Sequence, residues 1–194
     1  MSATKSGLIN LELQTERLII KVINNSFAEN VAHYLLKNKY FFREWTPLTS
    51  EKIYTSKYQT KKLNKEVEKI RDGTFLKLWL FRKDEISLHN IIGDITFSNI
   101  IYGTFLSCFL SYKLDFGHID KGYMSEALKI AINFAFSELK LHRLEANIMP
   151  KNINSIILIE KLGFEKEGYS KKYLKINGVW EDHLRYALLN ENDD

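Results

Sequence analysis

Apolar residues recur along this chain with two periods, and the switches between them set the expected elements. Leu128, Ala131, Ile132, Ala135, Phe136 and Leu139 fall at i, i+3, i+4, i+7, i+8 and i+11, one stripe of a helix. Upstream, positions 104–114 read as a strand, and a short loop containing Gly122 joins strand to helix. Strands are also expected over 13–23, 75–82, 91–98, 143–149, 164–169, 174–176 and 179–189, with a turn over 84–90. Asn177-Gly178 is a two-residue hairpin turn. Ser26 starts a helix carrying Phe27, Val31, Tyr34 and Leu35, Trp45-Thr46-Pro47 interrupts the pattern, and a second helix over 50–71 turns Leu63, Val67 and Ile70 inward. A last short helix opens at Asn152-Ile153-Asn154-Ser155 and stops at Gly163. This order predicts an α/β domain on one mixed sheet.

The strand–glycine–helix passage carries the first chemistry. N–H groups at a helix start have no partner within the helix and attract anions, and a glycine lets a phosphate approach the backbone. The segment from Lys121 to Ser125 is therefore a candidate pyrophosphate cradle, with an ordinary turn as the competing reading.

Two motifs sharpen this. Lys121-Gly122-Tyr123-Met124-Ser125-Glu126-Ala127, with Asn152-x-x-Ser155 and Glu160-Lys161-Leu162-Gly163-Phe164 behind it, resembles the acetyl-coenzyme A motifs of the GNAT superfamily of N-acetyltransferases, and within it the RimJ/RimL branch. Leu13-Gln14-Thr15-Glu16-Arg17-Leu18-Ile19-Ile20 resembles that branch's opening strand, and Phe42-Arg43-Glu44-Trp45-Thr46-Pro47 its segment after the first helix. The ordered set covers nearly the whole chain. It implies a flexible tail over 1–10 and one GNAT-like domain over 11–190, whose sheet has two splayed strands flanked by helices. Here those are the strand ending at Leu114 and the strand 143–149.

The resemblance also implies roles. Acetyl-CoA is the co-substrate, with its pyrophosphate on the N–H groups of Lys121, Gly122, Tyr123, Met124 and Ser125. Its pantetheine arm pairs with the backbone at Tyr112, Lys113 and Leu114, and an N–H near Tyr112 polarises the thioester carbonyl. Asn152 orients the arm, and Ser155 protonates the departing thiolate, with helix capping as the alternative for both. Glu44 and Trp45 lie where the acceptor amine enters, beside the Asn177-Gly178 hairpin. A homodimer is left open.

The chain departs from the family at three places. Ile119 stands where the loop usually begins with Gln or Arg. Leu174 and Asn147 stand where relatives carry a glutamate base. Glu145, two residues before Asn147 on the same strand face, is a candidate base acting through a water, with a structural carboxylate as the alternative. Glu181 and Asp182 are further candidates.

An α-amine has a pKa of about 8 and a lysine side chain about 10.4, so at pH 7 roughly a tenth of the former is neutral against about one part in two thousand of the latter. A chain without an obvious strong base suits a protein N-terminal α-amine better than lysine. A small amine such as a polyamine, amino-acid derivative or antibiotic is the alternative acceptor. A non-catalytic acyl-CoA-binding module is the alternative from another class.

Composition adds limits. The 194 residues, 45% hydrophobic and 27% charged, are ordinary for one globular domain. No apolar run spans a bilayer and no secretory signal opens the chain, so no membrane is expected. Cys108 is the only cysteine, set in an apolar strand and expected to be a buried structural thiol, which fits the cytoplasm. The net charge is +4, and Lys57, Lys61, Lys62, Lys65 and Lys69 crowd one helix as a solvated face. DNA is not an expected partner. His33, His89, His118, His142 and His183 are scattered without metal-site spacing, so no metal is expected.

Overall fold

The structure, a computed structural model, describes residues 7–85 and 90–191. Residues 1–6 of the expected tail and 86–89 of the expected turn, His89 included, lie outside the described residues. Eight strands form one mixed sheet in the order β1-β2-β3-β4-β5-β6-β8-β7. They are β1 (Glu12–Gln14), β2 (Leu18–Lys21), β3 (Phe75–Arg82), β4 (Gly93–Ile101), β5 (Ser107–Leu114), β6 (Arg143–Ile148), β7 (Glu165–Ile176) and β8 (Val179–Leu189). The helices are α1 (Ala28–Lys37), α2 (Lys39–Arg43), α3 (Ser56–Asp72), α4 (Tyr123–Ser137) and α5 (Ile153–Lys161). Every neighbouring pair of strands is antiparallel except β5 and β6, which run parallel and are joined through α4.

Side chains alternate across the sheet and build two cores. On β3, Leu76, Leu78 and Leu80 enter one cluster, with the inner face of α4 and Ile159 of α5. Trp79 and Phe81, which alternate with Leu78 and Leu80, enter the other, with Val31 and Tyr34 of α1, Phe42 of α2 and Leu63 of α3. The predicted α4 stripe is the buried one: Leu128, Ala131 and Ala135 are fully enclosed. Cys108 is buried, and burial pushes its thiol up to about 12, which leaves it an inert packing group.

Some predicted elements change. The strand expected over 13–23 is a hairpin, because Thr15 and Leu18 close a tight turn: the Leu18 N–H donates to Thr15 Oγ1 and the Thr15 N–H to the Leu18 carbonyl, both at 3.0 Å. The helix expected over 50–71 breaks at Thr55, whose hydroxyl caps α3 through the Tyr58 N–H. Ser26 does not cap α1; Asn24 caps a preceding 3-10 turn by accepting from the Ser26 N–H at 2.9 Å. The two strands expected over 164–176 are one, with a register shift between Ser170 and Leu174 where Lys172 takes a φ of 48°. Leu8, inside the segment read as a tail, is buried in the α4-side core.

One buried charge fixes the end of β5. Asp115, 1% exposed, accepts from Lys37 at 2.8 Å and Asn38 Nδ2 at 2.9 Å on one oxygen. Its other oxygen takes the Gly117 N–H at 2.9 Å and meets His118 Nδ1 at 3.1 Å. Burial works to raise this carboxyl, and the bonds from Lys37, Asn38, His118 and Gly117 overcome it, holding Asp115 down at about 2. A folded-state value below the unfolded ~3.9 means that the stabilisation is complete above about pH 4 and is lost as pH falls toward 2. Asp115→Asn should therefore be less stable than the parent in urea at pH 7, by a margin that shrinks below pH 4. A margin constant from neutral to acid pH would show that the carboxylate is not the anchor.

Candidate functional site

β5 and β6 pair at only three positions, Ser107 with Arg143, Cys108 with Leu144 and Phe109 with Glu145. β5 then continues to Leu114 and β6 to Ile148 without pairing, so the two strands splay. A cavity of about 460 Å³ occupies the gap and reaches both faces of the sheet. Leu110, Tyr112 and Leu114 line it toward α4 and α5, and Ser111 and Lys113 toward α1 and α2.

On the α4 side the cavity meets the start of that helix. Gly122 is its N-cap with φ +78°, the left-handed region, and no side chain caps the first turn. The Glu126 N–H returns to the Gly122 carbonyl at 3.1 Å, which leaves the Tyr123, Met124 and Ser125 N–H groups as the helix's orphan donors. Arg17 secures this turn. It donates to Glu126 through its backbone N–H at 3.0 Å and Nε at 2.7 Å, and to the Lys121 carbonyl at 2.9 Å. Its guanidinium lies over the Tyr123 ring, 4.6 Å from the centroid. Burial works to raise Glu126, and Thr15 and Arg17 keep it below the usual carboxylate range. A bare helix N-terminus thus stands at one end of the cavity, with the Arg17–Glu126 ion pair bracing the turn from outside the lining. Sequence reasoning placed Arg17 only within an opening strand; its partner lies 109 residues away, so no local pattern marks it.

The second motif forms the facing wall. Asn152 caps α5 by accepting the Ser155 N–H at 3.3 Å. Ser155 is thus not the cap. Its carbonyl accepts from Tyr112 Oη at 3.3 Å, a bond that ties β5 to α5 across the gap. Ser155 lines the cavity with Asn152, and its side chain interacts with the Tyr112 hydroxyl. Burial pushes the Tyr112 phenol up to about 12, so it is a neutral donor. Ile119 and Asp120 also line this end.

On the opposite face the lining is Phe41, Phe42, Trp45, Thr46, Asn147 and His183. The Asn177-Gly178 hairpin closes over it: Arg43 Nε donates to Asn177 Oδ1 at 3.1 Å, and the Asn177 N–H to the Thr46 carbonyl at 3.3 Å. Trp45 is half-buried in this wall, while Glu44 is exposed and does not line the cavity. Lys113 reaches toward Phe42, with its Nζ 5.6 Å from the ring centroid, and burial lowers its pKa.

Glu145 lies outside the lining. Its carboxylate accepts from Arg143 Nε at 2.8 Å and faces Arg185 at 3.9 Å, the ion-pair alternative left open by the sequence. Leu174 is exposed, and Asn147 donates to Tyr173 Oη at 3.4 Å. His183, met in the sequence only as one of five scattered histidines, is in the cavity wall. The pairing of β8 with β6 puts it there, and no local signal in the sequence could have.

The cavity thus crosses the sheet, with bare helix N–H groups at one mouth and aromatic rings at the other. The family description "Acetyltransferase (GNAT) domain" matches residues 17–165, and the chain belongs to that family. It is 37% identical to the [Ribosomal protein uS5]-alanine N-acetyltransferase of Escherichia coli, over 97% of this chain and 95% of that one. It is 34% identical to the Probable N-acetyltransferase YjcK of Bacillus subtilis, over 94% and 99%. Among solved structures, the ribosomal-protein-S5-alanine acetyltransferase of Vibrio fischeri superposes with a TM-score of 0.90 at 31% identity, over 95% of this chain and all of that one.

The cradle geometry makes a direct prediction. A β-branched residue at a φ of +78° is strained, by about 1–2 kcal/mol, and its Cβ would sit 3.4 Å from Arg17 Nη2. Gly122→Val should weaken coenzyme A binding at least about tenfold, roughly 1.4 kcal/mol. Unchanged affinity by calorimetry in a folded variant would move the phosphate site elsewhere.

Proposed function

We propose that this chain transfers acetyl from acetyl-CoA to the α-amine of a protein N-terminus by direct attack within a ternary complex. The observation that carries this reading is the through-sheet cavity, with Ser155 at the splay between its two mouths. Acetyl-CoA enters from the α4 side. Its pyrophosphate takes the Tyr123, Met124 and Ser125 N–H groups, with the Lys121–Gly122 turn held beneath by Arg17. Its amide-bearing arm pairs with those backbone groups of Tyr112, Lys113 and Leu114 that face away from β4, the bonds that β6 does not make there. Asn152 lies along that arm.

The chemistry follows from position. A backbone N–H near Tyr112 polarises the thioester carbonyl, fixed beforehand by the β4–β5 ladder. The acceptor arrives between Trp45 and the Asn177-Gly178 hairpin, so its nitrogen meets the carbonyl at the splay. As the adduct collapses, Ser155 gives its hydroxyl proton to the departing sulfur and recovers one from the new amide nitrogen. The E. coli relative, matched over nearly both full lengths, is named for an N-terminal alanine of a ribosomal protein, and this supports a protein α-amine as acceptor. Such a substrate places the enzyme in the cytoplasm. Glu44 stands outside the mouth as a surface charge within reach of an approaching chain.

Mass spectrometry of a peptide and amine panel incubated with acetyl-CoA tests the reading. Peptide α-amines should be acetylated and lysine side chains should not. Transfer confined to polyamines or amino acids would replace the acceptor class, and binding without transfer would leave a carrier module. On the preferred peptide, Ser155→Ala should lower kcat by about 10² while acetyl-CoA affinity holds. Wild-type kcat, with chemistry rate-limiting, would remove Ser155 from the reaction.

A further inference from the structure

We propose that His183 is the base that takes the proton from the incoming ammonium, an assignment that rests on the acetyl-transfer reading of the same cavity. His183 lies on β8 one residue past the last β6–β8 pair, Ile148 with Leu184, and opposite Ser170 of β7. It is 3% exposed yet lines the acceptor end with Trp45, Thr46 and Asn147. Its Nδ1 is 3.1 Å from the Glu181 carbonyl. A carbonyl only accepts, so Nδ1 carries the hydrogen and the lone pair of the neutral ring is on Nε2. The Tyr173 ring packs against the imidazole at 5.4 Å, and Asn147 donates to Tyr173 Oη. Backbone and packing therefore set both the tautomer and the orientation of the ring before a substrate arrives.

Apart from Lys113, which lines the same face, the other titratable groups are committed or in the wrong place. Lys113 in the lining is a base only once burial has removed its proton, and Tyr112 is a neutral phenol. Asp120 stands at the Gly122 end. Glu145 is tied to Arg143 and Glu181 to Lys151, the latter at 3.2 Å. Asp182 accepts from the Lys172 N–H and Tyr169 Oη. The charged groups acting on His183 are Glu181 and Asp182 of its own strand, and Tyr173 faces it from β7. Burial lowers its pKa against the pull of those two carboxylates, so the ring is neutral at pH 7. This is the base that the positions of Leu174 and Asn147 do not supply.

The step balances. Nε2 takes one proton from R–NH3+, leaving R–NH2 and an imidazolium. The free nitrogen lone pair forms the C–N bond at the thioester carbon, and the C–S bond breaks as Ser155 passes a proton to sulfur. The nitrogen's surplus proton restores Ser155, and the imidazolium releases its proton to water.

The pH profile of kcat/KM for an α-amine peptide tests the assignment. With His183 working, the wild type should be level from about pH 7 upward and fall only as pH drops through a value below the ordinary ~6.5. His183→Gln must wait for the amine's own deprotonation near pH 8, so its deficit should be about tenfold at pH 7, about a hundredfold at pH 6 and close to none at pH 9. Calorimetry with acetyl-CoA checks that the variant is folded. A deficit constant across pH would make His183 a structural residue and overturn the proposal. A wild-type profile climbing with unit slope to about pH 8 would overturn it without any variant. A wild type that acetylates no amine would instead sink the reading beneath it.

Discussion

The end of β5–β6 pairing after Phe109 and Glu145 is the constraint on which the rest of the molecule turns. Backbone N–H and C=O groups in the middle of a sheet are costly to leave without partners. Two strands can part there only if their surroundings hold them apart and if something other than each other satisfies them. An extended, amide-bearing ligand fits that demand as a further strand would. The interruption in the sheet is therefore a seat for such a ligand only while the residues on either side hold it open.

Several contacts far apart in sequence hold it. Asp115, at the point where β5 stops, gathers Lys37 and Asn38 from the α1 end and His118 and Gly117 from the following loop. The path of the chain toward Gly122 is set by that knot. Arg17 then fastens the helix start from the other direction, through Glu126 and the Lys121 carbonyl. Tyr112 reaches across to α5, and the Arg43–Asn177 bond ties the last hairpin to the end of α2. The donors of the cradle are left free because their neighbours, not they themselves, carry the structural bonds.

What was legible in the sequence follows the same division. The α4 stripe, Gly122 and the Asn152–Ser155 pair were readable because helical period, a left-handed glycine and a helix cap are local properties. The Thr15–Leu18 turn was not, since it lacks Gly, Pro or Asn and is closed by a threonine hydroxyl. The break at Thr55 was hidden for a similar reason, in a run whose polar residues fit a helix on either side. Glu145 was a fair candidate by its strand face, but its carboxylate is captured by Arg143 and by Arg185 of a strand some forty residues on, paired to β6. His183 was invisible for the converse reason: only the β6–β8 register brings it to the cavity.

Amide hydrogen exchange with and without acetyl-CoA tests the central claim most directly, because it reads the orphan backbone groups themselves. If the splay is the cofactor's seat, acetyl-CoA should slow exchange at 110–114 and at Tyr123, Met124 and Ser125, and leave α3 unchanged. Exchange at 110–114 that stays the same in saturating acetyl-CoA, with protection appearing elsewhere, would contradict the account.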